Sequence, residues 1–189
     1  YARLIYLTAI TGVPLTLMML ASAGGEADQA DQATMRTAAF LAYLLTILVM
    51  PVYHGVRVVR ARGGVPVGSA LHTALARSAI VGGRLLGVAA VWWREWPFVL
   101  MSPIGPVLGI RALRYARTAT SATSWREEHI VFMVMSGIAV HTAMLVFGTT
   151  RTLQMTFTGA AVYLPWLLPT LIGFPLLVLR VRRERRAVR

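Results

Sequence analysis

Residues 125–143 read WREEHIVFMVMSGIAVHTA, a charged cluster that runs directly into an apolar segment. The apolar part continues to residue 149, and about 20 such residues are enough for a helix to cross the hydrocarbon core of a bilayer. His129 stands at the charged end of the stretch, and His141 lies inside the apolar part. The stretch therefore predicts a membrane-spanning helix, and it poses the question of what its two histidines do.

The composition of the whole chain agrees with a membrane protein. Of its 189 residues, 57% are hydrophobic and 14% are charged, and the mean hydropathy is +0.64. The apolar residues fall in six segments, which are 4–22, 37–56, 67–93, 97–110, 129–149 and 159–179. We therefore predict a single all-α domain over residues 1–189, a polytopic transmembrane bundle of about six spans. Segments 67–93 and 97–110 form either two full spans or a re-entrant pair.

The first segment also has a feature of a secretory signal. It ends in Ala21-Ser22-Ala23, which resembles a signal-peptidase cleavage site. The segment is long for a signal peptide, and nothing later in the chain requires cleavage. We therefore expect it to remain as a span.

The arginines predict the orientation of the bundle. All 19 basic residues are arginine, and cytoplasmic loops of membrane proteins carry an excess of basic residues. With the N-terminus in the cytoplasm, fifteen arginines lie on the cytoplasmic side and three, Arg36, Arg94 and Arg151, on the outer side. We therefore expect both termini to be cytoplasmic in a bacterial inner membrane, with residues 180–189 as a basic tail at the lipid headgroups. Because the arginines lie at the ends of apolar segments, we expect no nucleic-acid partner.

Three of the four histidines fall on the predicted cytoplasmic side. His54 and His129 each lie three residues from an arginine of that side, so we expect them at the same depth. Two imidazoles from different helices can hold a b-type haem, and His72 or Glu128 would complete a zinc or iron site. The chain has no cysteine, which excludes thiolate metal sites. The alternative is that these are interfacial histidines that bind backbone groups or water.

Two further ionisable residues lie inside predicted spans. If Arg84 is buried, it needs a partner such as a backbone carbonyl freed by a proline, a lipid phosphate or a haem propionate. Arg84 is therefore another cofactor-binding candidate. The alternative is that Gly82-Gly83 breaks the helix and Arg84 extends to the interface. For His141, which lies on a different face of its helix from His129, we expect a hydrogen bond to a neighbouring helix. All seven acidic residues lie in loops or at segment ends, so we expect no carboxylate-driven proton relay.

Prolines interrupt two of the segments. Segment 97–110 contains three, and the last segment contains three more in LPWLLPTLIGFP, residues 164–175. Each proline removes a helix hydrogen bond, and in a bilayer the freed carbonyl needs a partner from a neighbouring helix or water. We therefore expect kinks, with LPWLLPTLIGFP forming either a kinked packing helix or part of a cavity wall.

The second half of the chain resembles a group of small bacterial polytopic integral-membrane proteins of unknown function. The likeness covers residues 98–180 and depends on PIGPVLGIRALRYAR, on W-x-x-x-H at 125–129 and on LPWLLPTLIGFP. It implies a helical membrane fold and no particular activity. His141 departs from the pattern, since a histidine-free run of alanine and threonine is expected there. The six spans with histidines also resemble six-helix b-type membrane cytochromes in architecture.

These features leave three functions open. The first is a redox or electron-transfer component that holds haem or a metal ion at His54 and His129, with Arg84 and His72 as further ligands. The second is a non-catalytic accessory or scaffold subunit that associates with other membrane proteins or with itself. The third is a small-solute transporter. No nucleophile elbow, P-loop or dinucleotide motif is present in the sequence, so it predicts no reaction.

The arginine distribution makes a topology prediction that labelling can check. Cysteines introduced singly at Asp28 and Gly63 should react with a membrane-impermeant maleimide from opposite sides of the membrane, because 23–35 is expected outside and 57–66 inside. Labelling of both positions from the same side would contradict the six-span arrangement.

Overall fold

A computed structural model of the chain describes residues 29–61, 66–118, 124–148 and 158–187. Of these residues 93% are helical, and none forms a strand. The helices are α1 (Gln29–Arg60), α2 (Ala70–Trp93), α3 (Trp96–Met101), α4 (Ile104–Thr118), α5 (Ser124–Ala143) and α6 (Leu164–Ala187). A π-helical turn, Met144–Gly148, follows α5, and a 3-10 turn, Gly159–Tyr163, precedes α6.

Five helical stretches in this part of the chain are long and apolar enough to cross a membrane. They are Gln32–Arg60, Ala70–Trp93, Trp96–Thr118, Trp125–Gly148 and Gly159–Arg186. The prediction of an all-α chain with several transmembrane helices is confirmed to this extent. The two uncertain segments, 67–93 and 97–110, correspond to helical stretches of 24 and 23 residues. The predicted first span, 4–22, lies outside the described residues.

The helices group into two compact units. Among the described residues, unit 1 contains 29–50 and 68–114, and unit 2 contains 51–61, 66–67 and the residues from 115 onward. The chain passes from unit 1 to unit 2 within α1, returns to unit 1 between residues 67 and 68, and passes to unit 2 again near the end of α4. Unit 1 therefore holds α2 and α3, and unit 2 holds α5 and α6. The single domain over residues 1–189 stays a prediction.

In unit 1, a hydroxyl from α1 occupies the break between α3 and α4. Pro106 has no N–H to bond back to the Ser102 carbonyl. The Tyr43 hydroxyl instead lies 3.0 Å from that carbonyl oxygen and 3.1 Å from the carbonyl oxygen of Met101. The same hydroxyl accepts a hydrogen bond of 2.8 Å from the Gly105 N–H. A neighbouring helix thus binds the Ser102 carbonyl freed by this proline, as expected, and also binds the Gly105 N–H at the start of α4.

The other prolines have different consequences. Pro103 frees the Val99 carbonyl, which accepts a hydrogen bond of 2.8 Å from the Ser102 hydroxyl on the same chain segment. By contrast, α6 continues without a break through Pro169 and Pro175. It also continues into the basic tail, so residues 180–187 are helical.

Small residues allow α2 and α4 to approach each other closely in unit 1. A Cβ atom on Gly83 would collide with the Pro106 ring and the Ser102 carbonyl. On the facing helix, a Cβ atom on Gly109 would lie 2.6 Å from the Ala76 carbonyl oxygen. The close packing of α2 against α4 therefore depends on the absence of a side chain at both glycines.

Neighbouring glycines on α2 provide a matched test of this packing. Gly83→Ala should destabilise the protein by about 1–3 kcal/mol because its methyl group meets backbone and a rigid proline ring. Gly82→Ala is the control, because its Cβ would lie 3.4 Å from the Tyr43 ring, an ordinary contact. Thermal unfolding in detergent measures both variants, and equal stability of the two would contradict the packing described.

Candidate functional site

A histidine and a carboxylate meet in the interior of unit 2. His54 lies in the second half of α1, and Glu128 lies in the second turn of α5. His54 Nε2 is 3.4 Å from Glu128 Oε1, and the two side chains are 0% and 6% exposed. Burying a carboxylate is costly unless a partner compensates for its lost hydration. The His54–Glu128 pair is therefore the main polar feature of this interior.

Aromatic rings enclose the imidazole of His54. The Phe132 ring, which is fully buried, packs against it with a centroid separation of 4.2 Å. The Tyr115 ring meets it edge-on at 5.7 Å. These rings keep water from the imidazole and lower the local dielectric constant, which strengthens its interaction with Glu128.

The next residue on each helix forms a second contact. His129 Nδ1 lies 2.9 Å from the carbonyl oxygen of Gly55. Because a carbonyl can only accept, Nδ1 carries the proton, and Nε2 is the acceptor in the neutral ring. A side chain at Gly55 would crowd this contact, since a Cβ there would lie 3.0 Å from Met133 Sδ. Two successive residues of α1 thus bind two successive residues of α5.

The contacts of His54 do not favour the haem or metal centre predicted from the histidines. An axial haem ligand directs a ring nitrogen at the iron, whereas His54 Nε2 faces Glu128. The bond of His129 Nδ1 to a backbone carbonyl orients the ring and is compatible with ligation through Nε2. Across the described ranges, no group of three or more histidine, aspartate or glutamate side chains is placed to hold a metal ion. The third candidate ligand, His72, is buried in unit 1. A cofactor at these residues stays a prediction without support from these contacts.

Arg84 occupies a different environment from the one expected for a buried cofactor ligand. Its side chain is exposed on α2, away from the buried face that contains Gly83 and Leu86. It therefore does not point into the interior of unit 1, where an anionic partner was expected. The alternative explanation invoked a helix break at Gly82-Gly83, but α2 runs through both glycines without interruption.

Residues of α5 and α6, which pack against each other in unit 2, line a groove of about 350 Å³. LPWLLPTLIGFP supplies one of its walls, which supports the cavity-wall alternative for that motif. The only ionisable side chain among its lining residues is His141, and the full lining is Val134, Gly137, Ile138, His141, Leu145, Leu168, Pro169, Ile172 and Gly173. His141 Nδ1 donates to the Gly137 carbonyl of its own helix at 2.7 Å. The expected hydrogen bond to a neighbouring helix is therefore replaced by one within α5.

The burial of Glu128 was not predicted from the sequence, where all acidic residues were assigned to loops or segment ends. Glu128 does lie near the start of α5, but only 4% of the residue is exposed. The signal was its helical spacing from Phe132 and Ser136, which are both fully buried. Residues four and eight positions apart share one helix face.

The adjacent Glu127 faces the surface and pairs with the basic tail. Its carboxylate accepts two hydrogen bonds, of 2.8 Å and 2.5 Å, from the Arg185 guanidinium of α6. Neighbouring carboxylates on one helix therefore have different environments, one partly exposed and bound to arginine and the other buried and bound to histidine.

Comparison with models of protein families, with curated proteins and with solved structures gives no match to the chain. The resemblance of residues 98–180 to small bacterial integral-membrane proteins stays a prediction, as does the architectural likeness to b-type cytochromes. A function is therefore inferred from the geometry of the described residues.

The two adjacent glutamates allow a direct test of the buried pair. Glu128→Ala should destabilise the protein by about 3 kcal/mol, because it removes a buried partner of His54. Glu127→Ala should cost no more than about 1 kcal/mol, since its ion pair is partly exposed to solvent. Denaturation in mild detergent gives both values. A Glu128→Ala variant as stable as Glu127→Ala would show that the buried contact contributes little.

Proposed function

We propose that the chain is a proton-coupled membrane transport protein whose proton site is the His54–Glu128 pair. The observation that carries the proposal is the 3.4 Å contact between two buried ionisable groups of α1 and α5. Both helices belong to stretches long and apolar enough to cross a membrane. Ionisable residues inside membrane segments are rare, and they usually belong to substrate pathways or proton relays.

The chemistry of the pair suits reversible proton binding. With a neutral imidazole, Nε2–H donates to the Glu128 carboxylate, and the pair has a net charge of −1. Uptake of one proton gives either an imidazolium with a carboxylate or an imidazole with a carboxylic acid, and both have no net charge. Proton uptake thus removes net charge from a buried site, which is how a proton can bias the conformation of a protein.

The groove between α5 and α6 supports transport over the other functions. Its volume of about 350 Å³ lies within the usual range of small-molecule sites. The lining is mostly apolar, and His141 Nε2 is an acceptor when the ring is neutral. The geometry therefore suits a small, largely apolar solute with one hydrogen-bond donor. Gly137 of the groove lies about 14 Å along α5 from Glu128, so one helix joins the proton site to the groove.

The membrane arrangement belongs to the same proposal. We place the chain in a bacterial inner membrane, with six spans including 4–22 and with both termini in the cytoplasm, because of the arginine distribution. The proton site then lies toward the cytoplasmic side, since Arg57 and Arg126 are close to it in sequence. A redox function has less support, because His54 Nε2 already contacts Glu128.

Infrared difference spectra recorded between acidic and alkaline buffer test the proton site in lipid vesicles. The parent protein should gain a carboxylic-acid C=O band, or the paired imidazolium bands, on acidification. Glu128→Gln should remove the carboxylic-acid band, because the amide cannot take up a proton, and should alter the imidazolium bands, because His54 loses its carboxylate partner. Glu127→Gln is the matched control and should give the parent signal, because Glu127 is a partly exposed partner of Arg185.

A pH jump on proteoliposomes adsorbed to a solid-supported membrane tests whether proton binding moves charge in the protein. The parent and Glu127→Gln should both give a transient current, and Glu128→Gln should give a smaller one. A current of equal size in Glu128→Gln, or none in the parent, would contradict the proposal.

A further inference from the structure

Two arginines lie on one exposed stripe of α2 in unit 1. Successive members of the stripe are alternately four and three residues apart. This is the heptad spacing through which two helices pack at a small crossing angle. Arg77 and Arg84 occupy equivalent positions seven residues apart, and the other members are small or β-branched. The Arg77/Arg84 stripe consists of Ala70, Ala74, Arg77, Val81, Arg84, Val88 and Val91, all of them exposed.

The depth of Arg84 makes exposure to lipid unfavourable. Within Ala70–Trp93 it lies fourteen residues from the first and nine from the last, or about 21 Å and about 14 Å along the axis. The nearer end is therefore the C-terminal one. Side chains on a helix tilt toward its N-terminus, so Arg84 points toward the more distant headgroups. To reach the nearer interface, the Arg84 side chain has to turn back against this tilt.

The described part of the chain offers no carboxylate for these arginines. Neither Arg77 nor Arg84 forms an ion pair with a described residue. The acidic side chains described there are all engaged elsewhere, in the pairs Arg36–Glu95, His54–Glu128, Arg180–Glu184 and Arg185–Glu127. The other acids of the sequence are Glu26, Asp28 and Asp31 in the polar run before the apolar part of α1. In a second copy of the chain the described acids are engaged in the same pairs, so a second copy is a poorer carboxylate donor for these arginines than a different protein.

We propose that the Arg77/Arg84 stripe docks a membrane-spanning helix of a second protein that carries carboxylates at the depth of the two arginines. The spacing of the arginines specifies two acids seven residues apart on the partner. An arginine binds a carboxylate through two parallel hydrogen bonds, and in lipid such polar contacts help to hold helices together. The small residues of the stripe allow the partner backbone to come close. The chain then acts as one subunit of a membrane complex.

A synthetic helix that imitates the partner tests the charge requirement. The probe is a membrane-spanning peptide of leucine and alanine with two glutamates seven residues apart and a dansyl group at one end. In phosphatidylcholine vesicles, energy transfer from protein tryptophan reports binding, since Trp92 is 87% exposed on the same helix. The glutamate peptide should bind about tenfold more tightly than the same peptide with glutamines, which corresponds to about 1.4 kcal/mol.

Variants and crosslinks separate docking from the alternatives. Arg77→Leu/Arg84→Leu should lose the preference for the glutamate peptide, and Arg182→Leu, an exposed arginine of α6, should keep it. Equal binding of both peptides, or an unchanged preference in the double variant, would overturn the proposal. A photo-crosslinking residue at Val81 in cell membranes should react with a protein whose membrane helix has an acid near the crosslink. Adducts confined to lipid or to a second copy of the chain would also overturn it.

Discussion

The hydrocarbon core of a bilayer contains no water, so every polar group inside it needs a partner from protein or lipid. In unit 1, Tyr43 on α1 binds the Ser102 carbonyl that Pro106 leaves open and the Gly105 N–H beside it. In unit 2, His54 and Glu128 bind each other in a dry aromatic environment. The arginines of the Arg77/Arg84 stripe have no such carboxylate in the described chain, which is why they indicate a partner. One constraint thus explains the packing, the proposed site and the proposed interface.

The position of the pair on α5 is important for the proposed function. The same helix contributes Glu128 at one end and a wall of the groove further along. A π-helical turn, Met144–Gly148, follows directly after it, and such turns are frequent at functional sites. The Gly173 backbone lies against Ile138 of α5, so α6 fits closely beside the groove. A change of charge at Glu128 therefore acts on the helix that also forms the groove.

Hydropathy and proline positions were sufficient to predict much of the fold, because the length of an apolar run determines whether a helix can span a bilayer. They also predicted that neighbouring helices would bind freed carbonyls. They could not identify Tyr43 as the donor, since it is 59 residues from Ser102 and pairing at that distance depends on tertiary packing. Equal depth along two helices led to the haem prediction for His54 and His129. Depth does not determine the direction of a side chain, and each imidazole has a different neighbour.

The most direct test of the central claim is the ¹⁵N spectrum of histidine-labelled protein in bilayers, followed as the pH is changed. The buried pair predicts that the His54 resonances change reversibly with pH, and that Glu128→Gln changes their shifts because the imidazole loses its carboxylate partner. His141, which is exposed and bonded within its own helix, should give the same resonances in both proteins. A His54 resonance that keeps one tautomer at every pH, or that is identical in Glu128→Gln, would contradict proton exchange at this pair.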